Sequence, residues 1–259
     1  MTANTPHEFW DRLPGGLTLG CHYANAPIVE AIVELRVECE ESSVLANLPA
    51  VAGPGETAMP MQLVGGQFVP LVTDGLDATG ELVGYSLGLR EQSHMSFVSL
   101  DRFAFAQRGH YVGWDSFDSA ADAAWSRYKA VTRPVLVSGA SVRFVNHIPM
   151  PTQVVEIRDY LRTTVEVSAY LPQSVSDMFM QVEVPFVEVG TIARISSAFT
   201  QNADSLALLL DIDVRADVAL SPRSESFDAD LRATLATLRN TKNYVFEACI
   251  TDATRGLIG

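Results

Sequence analysis

Cysteine is scarce in this chain: Cys21, Cys39 and Cys249 are the only three in 259 residues, and no two form a CxxC pair. That excludes zinc ribbons and thioredoxin-type redox sites. Free thiols in a chain of this size match a reducing compartment. Clustered positive charge is also missing. The 18 Lys and Arg residues never occur three in a row, and against 31 Asp and Glu they leave a net charge of −13. A field of that sign repels phosphate backbones and anionic lipid surfaces, so nucleic acid is not an expected partner. No apolar stretch approaches the roughly 20 residues that a membrane helix needs. Residues Met1 to Gly20 have neither the basic nor the apolar region of a signal peptide. The expectation is a cytoplasmic protein with no membrane partner. No GxSxG elbow, Walker loop or GxGxxG turn follows a predicted strand, and HxH, HxxxH and HExxH spacings are absent. No cofactor and no metal site is expected, and no residue is singled out as catalytic.

What is present is an ordinary globular balance, 47% hydrophobic and 19% charged, too apolar for a disordered chain. Period-two alternation predicts strands at Ile28–Val37, Gln67–Val72, Leu82–Glu91, Met95–Leu100, Arg102–Gln107 and Val135–Ile148. It predicts more at Met178–Val189, Thr191–Thr200 and Leu206–Val218, with Gly190 as a hairpin turn. Ile28–Leu35 also admits a short helix. Gly84 and Gly88 lie inside a strand and read as bulge or close-packing positions. Phe117, Ala121, Ala124, Trp125, Tyr128 and Val131 fall at helical spacing behind Ser116 as an N-cap, with Pro134 as the stop. Phe227, Leu231, Leu235, Leu238, Val245 and Cys249 form a second apolar stripe over Ser226–Ile250. Shorter helical turns are expected at His7–Leu13 and Ile157–Leu161.

The order strand, insertion, three strands, helix occurs twice, and both long helices open on Ser-Phe-Asp, at Ser116 and Ser226. The expected fold is therefore α+β, built from two similar halves. Each half is mostly antiparallel strands followed by an amphipathic helix packed on the sheet. The first spans 1–134 and the second 135–259, fused into one domain.

The polar residues that could make a site are few. Arg143 and His147 share one face of a strand and Asn146 lies on the other. Arg143, Asn146 and His147, with Tyr160 beyond the Pro149-Met150-Pro151 turn, are the candidate ligand-binding residues, as an anion-binding or acid/base group. The competing reading pairs Arg143 with a neighbouring acid and lets His147 cap the turn. Asp101-Arg102 reads as a charged β-turn. Asp211, Asp213 and Asp217 alternate on a strand and project to one face, without the glycine and closing Glu of a calcium loop.

Three segments resemble one bacterial family: Ala26-Pro27-Ile28-Val29-Glu30-Ala31, Val142-Arg143-Phe144-Val145-Asn146-His147-Ile148, and the closing Phe246-Glu247, Ile250-Thr251-Asp252, Arg255-Gly256-Leu257 and Gly259. Together they are similar to a sporadically distributed family of uncharacterised proteins of about this length. The resemblance covers nearly the whole chain through short motifs. His147 stands where that family usually has arginine. The resemblance implies no activity. Its patchy distribution is what phage-defence or toxin–antitoxin components show. The expectation is a non-enzymatic binding or protein-interaction protein, with an unknown protein partner or small ligand and possible self-association. The alternative is a small-molecule enzyme with its site near Arg143, Asn146 and His147.

Overall fold

The computed structural model describes residues 9–10, 17, 21–64, 67–70, 81–89, 93–151, 156–172, 177–202 and 205–259. The strands are β1 (Ile28–Cys39), β2 (Thr57–Val64), β3 (Gln67–Pro70), β4 (Leu82–Gly88), β5 (His94–Val98), β6 (Arg102–Arg108), β7 (Pro134–Pro149), β8 (Phe179–Phe186), β9 (Thr191–Asn202) and β10 (Ser205–Leu220). The helices are α1 (Trp114–Thr132), α2 (Phe227–Cys249) and α3 (Asp252–Ile258). All ten strands belong to one sheet, in the order β3-β2-β4-β5-β6-β1-β7-β10-β9-β8.

This corrects the expected plan of two similar sheet-and-helix halves. The strands hydrogen-bond into one large sheet, and two of the three named helices, α2 and α3, come after all the strands. The physical reason is that a strand's register pattern says which face is buried but not which strand lies beside it. The chain divides into two compact units, 1–31 with 141–216 and 233–259, and 32–140 with 217–232. This partition runs through β1, β7, β10 and α2.

In the unit built on 32–140, β4, β5 and β6 form an antiparallel meander, and β2 adds to β4 with a register shift at Met61/Gln62. β2 and a 3-10 helix at Leu45–Val51 were not foreseen, because Gly53, Pro54, Gly55 and Pro60 mask the periodicity around them. β1 is a strand, not the competing helix, with Val33, Leu35 and Val37 buried along one face. A Cβ on Gly84 would lie 2.3 Å from the Val98 carbonyl oxygen, so the close strand approach there requires glycine. α1 buries Phe117, Ala121, Ala124, Trp125 and Tyr128. Its aromatic stripe packs on β6, with Phe103 5.3 Å from Trp125 and 5.4 Å from Tyr128 between ring centroids. The helix starts behind Gly113, not Ser116, and ends on Arg133 in the left-handed conformation, ahead of Pro134.

In the unit built on 141–216, β8, β9 and β10 pair antiparallel in register, Phe179 opposite Ala198 and Ile212 opposite Ile195. One face of these strands and of β7 is core: Val142, Phe144, Ile148, Ala193, Ile195, Leu208, Leu210, Ile212 and Val214 are buried. α2 lies over that face. Thr241 shares a 3.2 Å hydroxyl hydrogen bond with Thr191, and Lys242 Nζ sits 4.2 Å from the Phe144 ring centroid. α3, also unforeseen, is capped by Thr251, whose side chain accepts from Thr254 N. Of the expected helix at His7–Leu13, Phe9 and Trp10 are described and helical; the rest lies outside the described residues. The expected turn at Ile157–Leu161 is a 3-10 helix over Ile157–Asp159. The described helices include none long and apolar enough to cross a membrane.

Candidate functional site

Strand alternation decides where the sequence-derived candidates point. On β7, Phe144, Asn146 and Ile148 are buried on the helix side, whereas Arg143 and His147 point to the opposite face. Arg143 and His147 therefore share a face, and Asn146 is not on it. Asn146 is 2% exposed and its amide donates to the Leu210 carbonyl at 3.0 Å and the Phe144 carbonyl at 3.3 Å. Those bonds satisfy the polar group within the sheet, as a buried amide requires.

Arg143 makes a two-pronged pair with Asp211 of β10: Nε donates at 2.9 and 3.1 Å and Nη2 at 2.7 Å. The bonds to Asp211 hold its guanidinium more firmly charged than usual, against the cost of burial. Further across the strands Arg194 bridges Asp213 (3.3 Å) and Glu183 (3.4 Å), and Arg215 donates to both Glu183 oxygens at 2.8 and 3.0 Å. Burial raises the Asp213 carboxyl above its ordinary range, opposed by Arg194 and Arg143. The hydrogen bonds from Arg215 lower that of Glu183. This face of β7, β10, β9 and β8 carries a ladder of ion pairs. Because Arg143 is 45% exposed at its side chain, Arg143→Ala is expected to lose no more than about 1 kcal/mol in denaturant unfolding, less at high salt.

His147 is half-buried and its backbone N–H donates to the Pro27 carbonyl at 2.7 Å. Tyr160 closes the 3-10 turn, and its carbonyl accepts from Thr251 N (3.1 Å) and Thr254 Oγ1 (2.6 Å). Its backbone thus anchors α3. Asp217 pairs with Arg36 and Asp101 with the Ser99 hydroxyl. His94 packs on the Phe105 ring at 5.3 Å. Among the described residues there is no group of three His, Cys, Asp or Glu side chains that could hold a metal ion.

Two features escaped the sequence reading. One is the outer edge of β8, the last strand of the sheet. The other is Lys242, half-buried over Phe144. The second left a signal in the composition: the chain has 16 arginines and only two lysines.

No protein-family model, curated protein or solved structure matches the chain.

Proposed function

We propose that this protein is a binding module that takes up an extended segment of a partner protein as an additional strand along β8. The observation that carries this reading is the character of that edge. β8 ends the sheet order, and among the described residues β9 is its only strand neighbour. A terminal strand offers a row of backbone donors and acceptors, which natural proteins defend with charge, proline or bulges; in β8 the one proline, Pro185, stands near the end and leaves Phe179–Val184 undefended by it. β8 has one charged residue, Glu183, and two arginines already hold it. Phe179 is 71% exposed and Val187, just beyond the strand, 84%. Such an edge suits strand addition, in which backbone bonds supply affinity and alternate side chains supply specificity.

Charge selects the kind of partner. Asp177 before the strand and Glu188 after it are both exposed, and among the described residues neither has an ion-pair partner. The fitting segment is apolar in its middle and basic at both ends, in keeping with a net charge of −13. A second copy in twofold antiparallel pairing would bring Asp177 against Glu188 and is disfavoured. A role as an accessory or defence component, acting through such a partner, agrees with the resemblance noted above.

A random-peptide display selection on the full chain tests the reading. Enriched peptides should alternate apolar residues between Lys or Arg ends. Their affinity should fall about tenfold or more for Asp177→Lys/Glu188→Lys, as expected for loss of complementary charge. Failure to enrich extended peptides, equal binding by the variant, or self-association through β8 in sedimentation would overturn it.

A further inference from the structure

An antiparallel sheet covered on one side usually turns polar residues to the other. The strands β2, β4, β5 and β6 do not follow that plan. α1 packs on the face that carries Phe103 and Phe105, where Leu87 and Val98 are also buried. On the opposite face β2 presents Met59 and Leu63, 49% and 51% exposed, with Met61 half-buried between them. The residues that β2 turns toward the α1 side are Ala58, Pro60 and Gln62. β2 is thus more apolar on the face that α1 does not cover. An apolar patch of this kind marks a contact surface.

Strand register sets the relief of this face. Met59 stands opposite Ser86, Ser86 opposite Phe97, and Phe97 opposite Ala104. One rung along, Gly88 stands opposite Met95, and Met95 opposite Ala106. Opposed residues share a face, so large side chains on β2 and β5 alternate with small ones on β4 and β6. The result is ridge, groove, ridge, groove, and none of these residues is charged. β1, next in the sheet, brings charge to the rim, where its Glu34 pairs with Arg102 of β6 at 3.5 Å. An apolar centre with a polar rim is the usual anatomy of a protein interface.

We propose that this face is a dimerisation surface whose occupant is a second copy of the chain, docked ridge into groove. The relief is complementary to itself about a twofold axis that runs along the strands between β4 and β5. That axis carries β2 of one copy over β6 of the other, and β5 over β4. Met59 then lies above Ala104 of the second copy, Phe97 above its Ser86 and Met95 above its Gly88, each large residue on a small one. The contact is isologous and closes as a dimer, with strands aligned as in face-to-face sheet packing. An axis across the strands would set ridge on ridge. Charge favours the same contact: two copies at −13 repel, so they meet closely only over a face whose centre holds no acid. Six strands from β3 to β1 and three rungs cover about 600 Å² per copy, somewhat under the roughly 800 Å² of a standard interface. The dimer is therefore weak and reversible, with a Kd of about 10–100 µM.

A size exchange between two positions tests the register. Within one copy Met59 and Ala104 are three strands, about 14 Å, apart, so only a second copy brings them together. Sedimentation equilibrium of the full chain over about 1–500 µM should show reversible monomer–dimer association. Ala104→Met fills the groove and should weaken the dimer about tenfold or more, as overpacking of a close contact does. Met59→Ala removes the ridge and should weaken it too. Met59→Ala/Ala104→Met exchanges ridge and groove in every chain and should recover most of the lost affinity, a rescue that misfolding cannot imitate. A monomer throughout, a dimer indifferent to Ala104→Met, or a double variant no better than Ala104→Met alone would overturn the proposal. β8 takes no part in this contact, so each of those results would leave strand addition at that edge standing.

Discussion

Replacing Glu247 with alanine is expected to cost about 3–5 kcal/mol of folding stability, the penalty for breaking a buried ion pair by removing one partner. Glu247 sits near the C-terminal end of α2 and is only 4% exposed. Its carboxylate accepts from the Tyr23 hydroxyl at 2.7 Å and from Arg255 Nε and Nη2 at 3.1 and 3.0 Å. Its backbone carbonyl accepts from Arg255 at 2.8 Å and Arg162 at 3.2 Å. Two guanidiniums thus meet the negative end of the helix, where cations are favoured. Arg255 carries α3, and Asn25 N donates to the Ile258 carbonyl at 3.0 Å, so the cluster ties residues near both chain termini to one helix end. Burial, and then the hydrogen bond to Glu247, hold the Tyr23 phenol above its ordinary range. Without the carboxylate, Arg255 keeps the backbone carbonyl of residue 247 and the more exposed Asp252, each at 2.8 Å. A typical domain has about 5–15 kcal/mol in all, so the midpoint of urea unfolding should fall steeply. Glu247→Gln, which can still accept from Tyr23, should lose less. A loss under about 1 kcal/mol for Glu247→Ala would mean that water replaces the carboxylate and that the cluster is not a structural tie.

Leu238→Ala is expected to cost about 2–5 kcal/mol, as transfer energy plus the cavity left behind. Leu238 is wholly buried, as Leu231 and Val245 nearly are, each one heptad away on the same stripe of α2. Arg232 is exposed, and Arg232→Ala should stay within about 0.5 kcal/mol. Leu235, which the apolar spacing places in the same stripe, is only half-buried, so Leu235→Ala should fall between the two. The buried stripe is turned toward Thr241, which is fully buried and bonds Thr191 and, at 2.9 Å, the Thr237 carbonyl. Thermal unfolding of the three variants orders them. If Leu235→Ala cost more than Leu238→Ala, the helix would face the sheet through a different stripe from the one described.

The rotation of α2 shows where pattern reading reaches its limit. A threonine carries no hydrophobic signal, so an apolar stripe whose centre is a hydrogen-bonded hydroxyl is read as lying one residue away. The N-cap of α1 failed in the same way: Ser116 is a favoured cap residue, but the chain enters the helix at Gly113. β2 was lost among glycines and prolines, whereas β5 and β6 were legible because Met95, Phe97, Phe103 and Phe105 alternate with polar or small residues.

The sequence alone determined the alternation that sends Arg143 and His147 to one face of β7 and Phe144 and Asn146 to the other, because side-chain direction in a strand follows residue parity. It also determined the two long amphipathic helices and the stop at Pro134, because these depend on spacing and on a missing N–H. Tertiary structure alone decided that the ten described strands join one sheet, that Asp211 holds Arg143, that β8 ends the strand order, and that Lys242 comes to rest on Phe144. Each of these is a pairing between residues far apart in the chain. Such pairings are settled by which surfaces bury most completely together, a property that no local periodicity encodes.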